Sequence, residues 1–159
     1  LFNALTKAKA MAADQLFATL DPTLRRVWLK DQRYIILADT VGFIRDLPHE
    51  LVAAFRATLE EVNQANLLMH VIDVSHPSYR EHMDEVYKVL QSIGAEHIPM
   101  IEVYNKIDLL LDSKPHVQEV KEVAQGLPVI LRCFCSAQER LGLDLLKQAL
   151  LKHFFNEEK

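Results

Sequence analysis

Cysteine, glycine and proline are all scarce in this chain: of its 159 residues, two are Cys, four are Gly and six are Pro. So few turn-formers exclude a linker-rich or low-complexity chain, and no internal repeat is visible. Half of the residues are hydrophobic and a quarter are charged, which suits one globular domain with a substantial core. No apolar run approaches the roughly 20 residues that a membrane-spanning helix needs. Positive charge is also short, since 18 Lys and Arg face 22 Asp and Glu for a net charge of −4. That balance argues against bulk electrostatic attraction to nucleic acid. Cys133 and Cys135 are i, i+2 neighbours on an apparent strand. They share a face, sit poorly for a disulfide, and have no further Cys or nearby His to complete a metal set. Buried reduced thiols in a cytoplasmic protein are expected. The seven histidines mark no catalytic centre: His70 lies on an apparent core strand, His76 precedes a Pro turn, and the others are scattered.

What the chain does have is an alternation of helix-like and strand-like periods. Residues 1–12 read as part of a helix, and Asp14–Thr23 as an irregular segment closed by Asp21-Pro22-Thr23. Leu24–Lys30 and Tyr34–Ala38 look like two strands of a hairpin. After the loop Ile44–Pro48, residues His49–Asn66 carry Leu51, Val52, Phe55, Leu59 and Val62 at helical spacing. Leu67–Val74 is a continuous apolar strand, as expected for one covered on both faces. Ser78–Ile93 is an amphipathic helix, Ile98–Tyr104 a strand, Val117–Ala124 a short helix, Leu127–Cys135 a strand and Leu141–Phe155 a final helix. The pattern predicts a three-layer α/β domain with a mostly parallel sheet and one antiparallel hairpin edge.

Two motifs stand at strand ends, where open parallel sheets bind ligands. The strand Ile98–Tyr104 runs into Asn105-Lys106-Ile107-Asp108. Guanine presents two donors on one edge, N1–H and N2–H, and a fixed carboxylate accepts both as a bidentate pair that adenine cannot match. Asp108 is the candidate carboxylate, Asn105 the loop brace that also reaches the base, and the Lys106 stem a cover for its face. The strand Arg33–Asp39 runs into Asp39-Thr40-Val41-Gly42-Phe43. There an Asp can hold Mg2+ through water, and a Gly amide can approach a terminal phosphate because no side chain blocks it. Either motif alone also fits an ordinary turn. Together, in this order and 66 positions apart, they point to a GTPase.

With Cys135-Ser136-Ala137 these motifs follow the order of the switch II, base-specificity and final nucleotide loops of small GTPases. The segments Ala13–Thr23, Asp39–Pro48 and Leu51–Glu60 closely resemble HflX, a bacterial ribosome-associated family of the Obg–HflX group. The likeness covers nearly the whole chain. It implies a P-loop NTPase fold, GTP and GDP as ligands, Mg2+ as cofactor, and association with the large ribosomal subunit, linked to splitting or rescue under stress. It implies Thr19 as the switch I contact to Mg2+ and the terminal phosphate, Asp39 as the Mg2+-water ligand and Gly42 as the γ-phosphate sensor. It also implies Asn105, Lys106 and Asp108 as the guanine loop, and Ser136 and Ala137 as the last loop, with an amide near Ala137 donating to guanine O6. Phe43 takes the place where many GTPases carry a water-orienting Gln, so slow intrinsic hydrolysis is expected, with help from a partner.

One departure is large. A Gly-x-x-x-x-Gly-Lys-[Ser/Thr] P-loop appears nowhere in the sequence. In relatives it precedes the equivalent of Leu1-Phe2-Asn3, after a strand in the middle of the sheet, and without that strand its neighbours would have bare edges. Residues 1–159 are therefore expected to be a G domain incomplete at its start, within a longer polypeptide, and to bind GTP weakly alone. Rivals are an Obg- or Era-like GTPase with another client and a nucleotide-binding or interaction module without turnover. Most RNA contact is expected from a domain outside this sequence; Arg25, Arg26 and Lys30 form only a small basic spot.

Overall fold

The computed structural model describes residues 1–6, 23–39, 61–124 and 126–155. A short helix α1 (Phe2–Thr6) leads to strands β1 (Thr23–Trp28) and β2 (Tyr34–Asp39), and then to β3 (Leu68–Asp73), helix α2 (Tyr79–Ser92) and β4 (Met100–Asn105). Strands β5 (His116–Ala124) and β6 (Leu127–Phe134) and helix α3 (Leu143–Phe155) complete the order. The helix read over His49–Asn66 lies outside the described residues apart from its end, where Glu61–Gln64 form a 3-10 turn.

The strands form two sheets. β1 and β2 pair antiparallel, with Thr23 opposite Asp39 and Trp28 opposite Tyr34. The other sheet has the order β3-β4-β6-β5, in which β3, β4 and β6 are parallel and β5 antiparallel. The hairpin expected at a sheet edge thus forms, but as its own ribbon among the described residues. β4 is one of the two inner strands, and Met100, Ile101, Glu102 and Val103 are all buried. Its apolar run follows from being covered on both faces.

Each face of the sheet has its own core. On one face Ile101, Val103, Cys133 and Cys135 pack with Leu5, Val27 and the inner stripe Leu143, Leu146 and Leu150 of α3. On the other, Met100 and Leu127 pack with Val62, Ile98 and the Tyr87–Leu90 stripe of α2. α2 is followed by Gly94 at φ +75, a left-handed backbone that costs glycine little.

The short helix expected over Val117–Ala124 is instead a strand. Val117, Val120 and Val123 are three apart, which suggests a helix face, but the ladder with β6 shifts between Glu119 and Glu122. One extra residue in β5 resets the in–out alternation, so an apolar period of three fits a bulged strand. β-Branched valines also favour the extended chain over the helix. Both cysteines are buried and free. Among the described residues, no helix is long and apolar enough to cross a membrane.

Candidate functional site

Parallel register brings three strand ends together. Asp73 of β3 lies opposite Asn105 of β4, and Tyr104 opposite Phe134 of β6, so Asp73, Asn105 and Cys135–Ala137 share one edge of the sheet. Asp39 ends β2. Burial lifts the Asp39 carboxyl above its ordinary range. A carboxylate disfavoured by desolvation gains from a nearby cation, so Asp39 fits the Mg2+ role on chemical grounds.

Asn105 connects two loops. Its Oδ1 accepts the Ala137 N–H at 2.9 Å, and the Cys135 Sγ lies 4.0 Å away. The Tyr104 carbonyl accepts the Cys135 N–H at 2.9 Å, and the Cys135 carbonyl accepts the Ile107 N–H at 3.2 Å. Lys106 takes a left-handed backbone, φ +69, which turns the chain sharply into the 3-10 turn Ile107–Leu109. Ile107 is buried beneath that turn and Asp108 is exposed on it. Among the described residues the Asp108 carboxylate has no hydrogen-bond partner, so both its oxygens can accept from a ligand.

The last loop is equally constrained. Ser136 and Leu141 exchange both backbone hydrogen bonds at 2.9 Å, and the buried Ser136 Oγ accepts the Glu139 N–H at 3.1 Å. Gly142 closes the loop at φ +77, where an added Cβ would come within 2.9 Å of the Phe134 carbonyl and 3.1 Å of the Cys135 Cβ. Sequence reasoning named Asn105, Lys106, Asp108, Ser136 and Ala137, and the fold brings these five together. Thr19, Gly42 and Phe43 lie outside the described residues.

Three contributors were missed. Asp73 accepts from Lys106 Nζ at 2.9 Å and from the Ser75 hydroxyl at 2.6 Å. Burial would raise its pKa, but the bonds from Ser75 and Lys106 and the Lys106 charge outweigh that and hold it low. The signal available was an Asp ending an apolar strand two residues before Ser75. Gly142 was missed because a glycine before a helix is unremarkable. Glu102 is buried within β4, three residues before Asn105, where it accepts from Tyr87 and Tyr104 hydroxyls and from Arg132 Nε at 2.8 Å. A carboxylate inside a strand shows no partners in sequence.

Comparison with known proteins identifies the family and the fold. Residues 1–106 match the family model described as 50S ribosome-binding GTPase. The chain is 49% identical over 157 residues to GTPase HflX of Escherichia coli strain K12, covering 99% of this chain and 36% of that protein. It is 48% identical to GTPase HflX of Caldanaerobacter subterraneus, over 99% of this chain and 34% of that protein. The chain therefore spans about a third of the length of these relatives. Among solved structures, a GTP-binding protein from Sulfolobus solfataricus in complex with GDP superposes with a TM-score of 0.68 at 27% identity, covering 96% of this chain and 47% of that one. The α/β fold is thus that of GTP-binding proteins. A guanine-type loop tied to a second loop at one sheet edge, with these matches, means that the chain belongs to the 50S ribosome-binding GTPase family and is HflX-like.

Proposed function

We propose that this chain is the guanine-reading part of a GTPase that converts GTP to GDP and phosphate. The observation that carries the reading is the Asn105 Oδ1 bond to the Ala137 amide, which locks both base-facing loops into one unit. Asp108 accepts guanine N1–H and N2–H, and the Lys106 stem, anchored by Asp73, covers the face of the base. With the Ala137 N–H held by Asn105, the Ser136 N–H by Leu141 and the Glu139 N–H by Ser136, the Gln138 amide is left to donate to guanine O6. That assignment refines the expectation for Ala137, which becomes a residue that positions rather than donates.

Asp39 and Thr19 would hold Mg2+, which neutralises charge that builds on the phosphate oxygens as water attacks and the bond to GDP breaks. Gly42 would sense the γ-phosphate through its amide. Phe43 cannot orient water by hydrogen bonding, so intrinsic turnover is slow. We assign the phosphate-gripping loop to chain outside these 159 residues, a reading supported by the share of the relatives that the chain spans. The proposed client is the large ribosomal subunit in the cytoplasm, with a role in ribosome splitting or rescue.

The test uses the full-length protein. Phosphate release should require GTP and Mg2+, rise with large subunits, and fall on Asp108→Ala. Release from ATP at the same rate, unaffected by Asp108→Ala, would refute guanine recognition here. A Phe43→Gln variant with unchanged rates, alone and with large subunits, would remove any gating role for the ring.

A further inference from the structure

The chain is acidic, yet its β1–β2 hairpin carries four basic residues, Arg25, Arg26, Lys30 and Arg33, against Asp31 and Asp39. Asp39 is at the opposite end from the turn. Antiparallel register puts Trp28 beside Tyr34 and Arg26 beside Ile36 on the outer face of the ribbon. Trp28 is 55% exposed and Tyr34 42% exposed, with ring centroids 5.2 Å apart at 58°. The Arg26 guanidinium lies 4.9 Å over the Tyr34 ring. Two large aromatics side by side in solvent, one already carrying a guanidinium, form a platform for a planar group rather than part of a core. The turn beyond them is fixed by left-handed backbone at Asp31 and Gln32, which projects the exposed Lys30.

Helix α3 supplies a second wall. A groove of about 280 Å³ runs between Trp28, Leu29 and Lys30 on one side and Asp144, Lys147 and Leu151 on the other. Cofactor and drug-sized ligands fill roughly 300–1,000 Å³, so this open groove suits one ring of a longer ligand. Among the described residues, Arg26, Lys30 and Lys147 form no ion pair and their charges are available. Asp31 and Asp144 dilute the local field, which leaves much of the binding to stacking.

We propose that this tip binds single-stranded RNA, with a base stacked on Trp28 and phosphates held by Arg26, Lys30 and Lys147. The complementarity is specific to that class of partner. A single strand offers a π-face and a negative charge at every nucleotide, and proteins that hold it combine aromatic platforms with a cationic groove. Leu24 and Ile36, farther along the same face, are exposed and aliphatic and take no part. The surface shares no residue with the guanine loop and is independent of the nucleotide reading.

The test is fluorescence anisotropy of the full-length protein with a labelled single-stranded RNA of about 12 nucleotides, at several salt concentrations. Trp28→Ala should weaken binding roughly tenfold and Trp28→Phe much less, by loss or retention of stacking. Lys30→Glu with Lys147→Glu should lower the slope of log affinity against log salt by about 1.4, at about 0.7 per phosphate contact on a single strand. Guanine-nucleotide affinity should be unchanged in each variant. Ultraviolet crosslinking with peptide mapping separates this surface from RNA sites elsewhere in the polypeptide, and the crosslink should fall within residues 26–34. No crosslink there, or unchanged affinity and slope, overturns the proposal. So does a Trp28→Ala variant that keeps RNA binding but loses binding to RNA-free proteins extracted from large subunits, which would assign the face to a protein.

Discussion

Replacing Asn105 with Ala removes the acceptor that holds the two base-facing loops together. The Asn105 Oδ1 to Ala137 N–H bond is 2.9 Å long and partly buried, and its loss leaves the Ala137 amide without that partner. Stranding a partly buried donor costs about 1–3 kcal/mol. At about 1.4 kcal/mol per factor of ten, that is a loss of roughly 5- to 150-fold in affinity for guanine nucleotides. The Lys106–Asp73 pair cannot compensate. Its side chains are 51% and 37% exposed, and such surface pairs contribute at most about 1 kcal/mol. Titration of a fluorescent GDP analogue into the full-length protein measures the loss, and urea unfolding checks that the fold persists. Asn105→Asp keeps an acceptor oxygen but loses the amide that reaches the base, so it should fall between wild type and Asn105→Ala if the brace dominates. An Asn105→Ala protein within twofold of wild-type affinity, with an unchanged unfolding midpoint, would refute the idea that the brace organises the site.

Other expectations follow from buried groups. Burial lowers the His70 pKa to about 4, against the nearby Glu102 charge. Above pH 6.5 the ring is neutral in both states; below it the unfolded chain protonates first, so stability falls by about 1.4 kcal/mol per pH unit down to pH 4, about 3 kcal/mol in all. His70→Gln should flatten that part of a urea-midpoint profile against pH, and an unchanged slope would show that the ring charges in the fold. Arg132→Met should destabilise by about 3 kcal/mol, because Glu102 is 1% exposed and loses its cation, while Arg132 at 25% exposed keeps the figure at the low end. Adding Glu102→Gln to that variant should restore part of the loss in chemical denaturation; no recovery would mean that packing, not charge, was lost. Gly142→Ala should cost more than about 1 kcal/mol, since φ is +77 and the new Cβ meets backbone at 2.9 Å. Thermal unfolding would detect it.

Much of the fold was legible because local chemistry and tertiary role agreed. Leu68–Asp73 and Met100–Asn105 are apolar runs with no helical period, and both are parallel strands of the sheet, Met100–Asn105 inside it and Leu68–Asp73 at its edge, where Val71 is exposed rather than covered. Tyr79–Ser92 has its apolar residues on one stripe and buries Tyr87 and Leu90. His116–Ala124 misled because one inserted residue in an edge strand imitates a helical period, and a bulge is set by the partner strand rather than by the strand itself.

The sequence by itself determined the Asn105–Asp108 motif, the strand that runs into it and the family resemblance. Those depend on residue types at fixed spacing along the chain. Only the tertiary structure decided that Asn105 holds the Ala137 amide, that Asp73 anchors Lys106 and that Glu102 gathers two tyrosines and Arg132. It also decided that Trp28 and Tyr34 stand in solvent beside Arg26 and Lys30. Each of these pairings joins residues on different strands or helices, where spacing along the chain says nothing about distance. Parallel register and helix packing alone set which side chains meet.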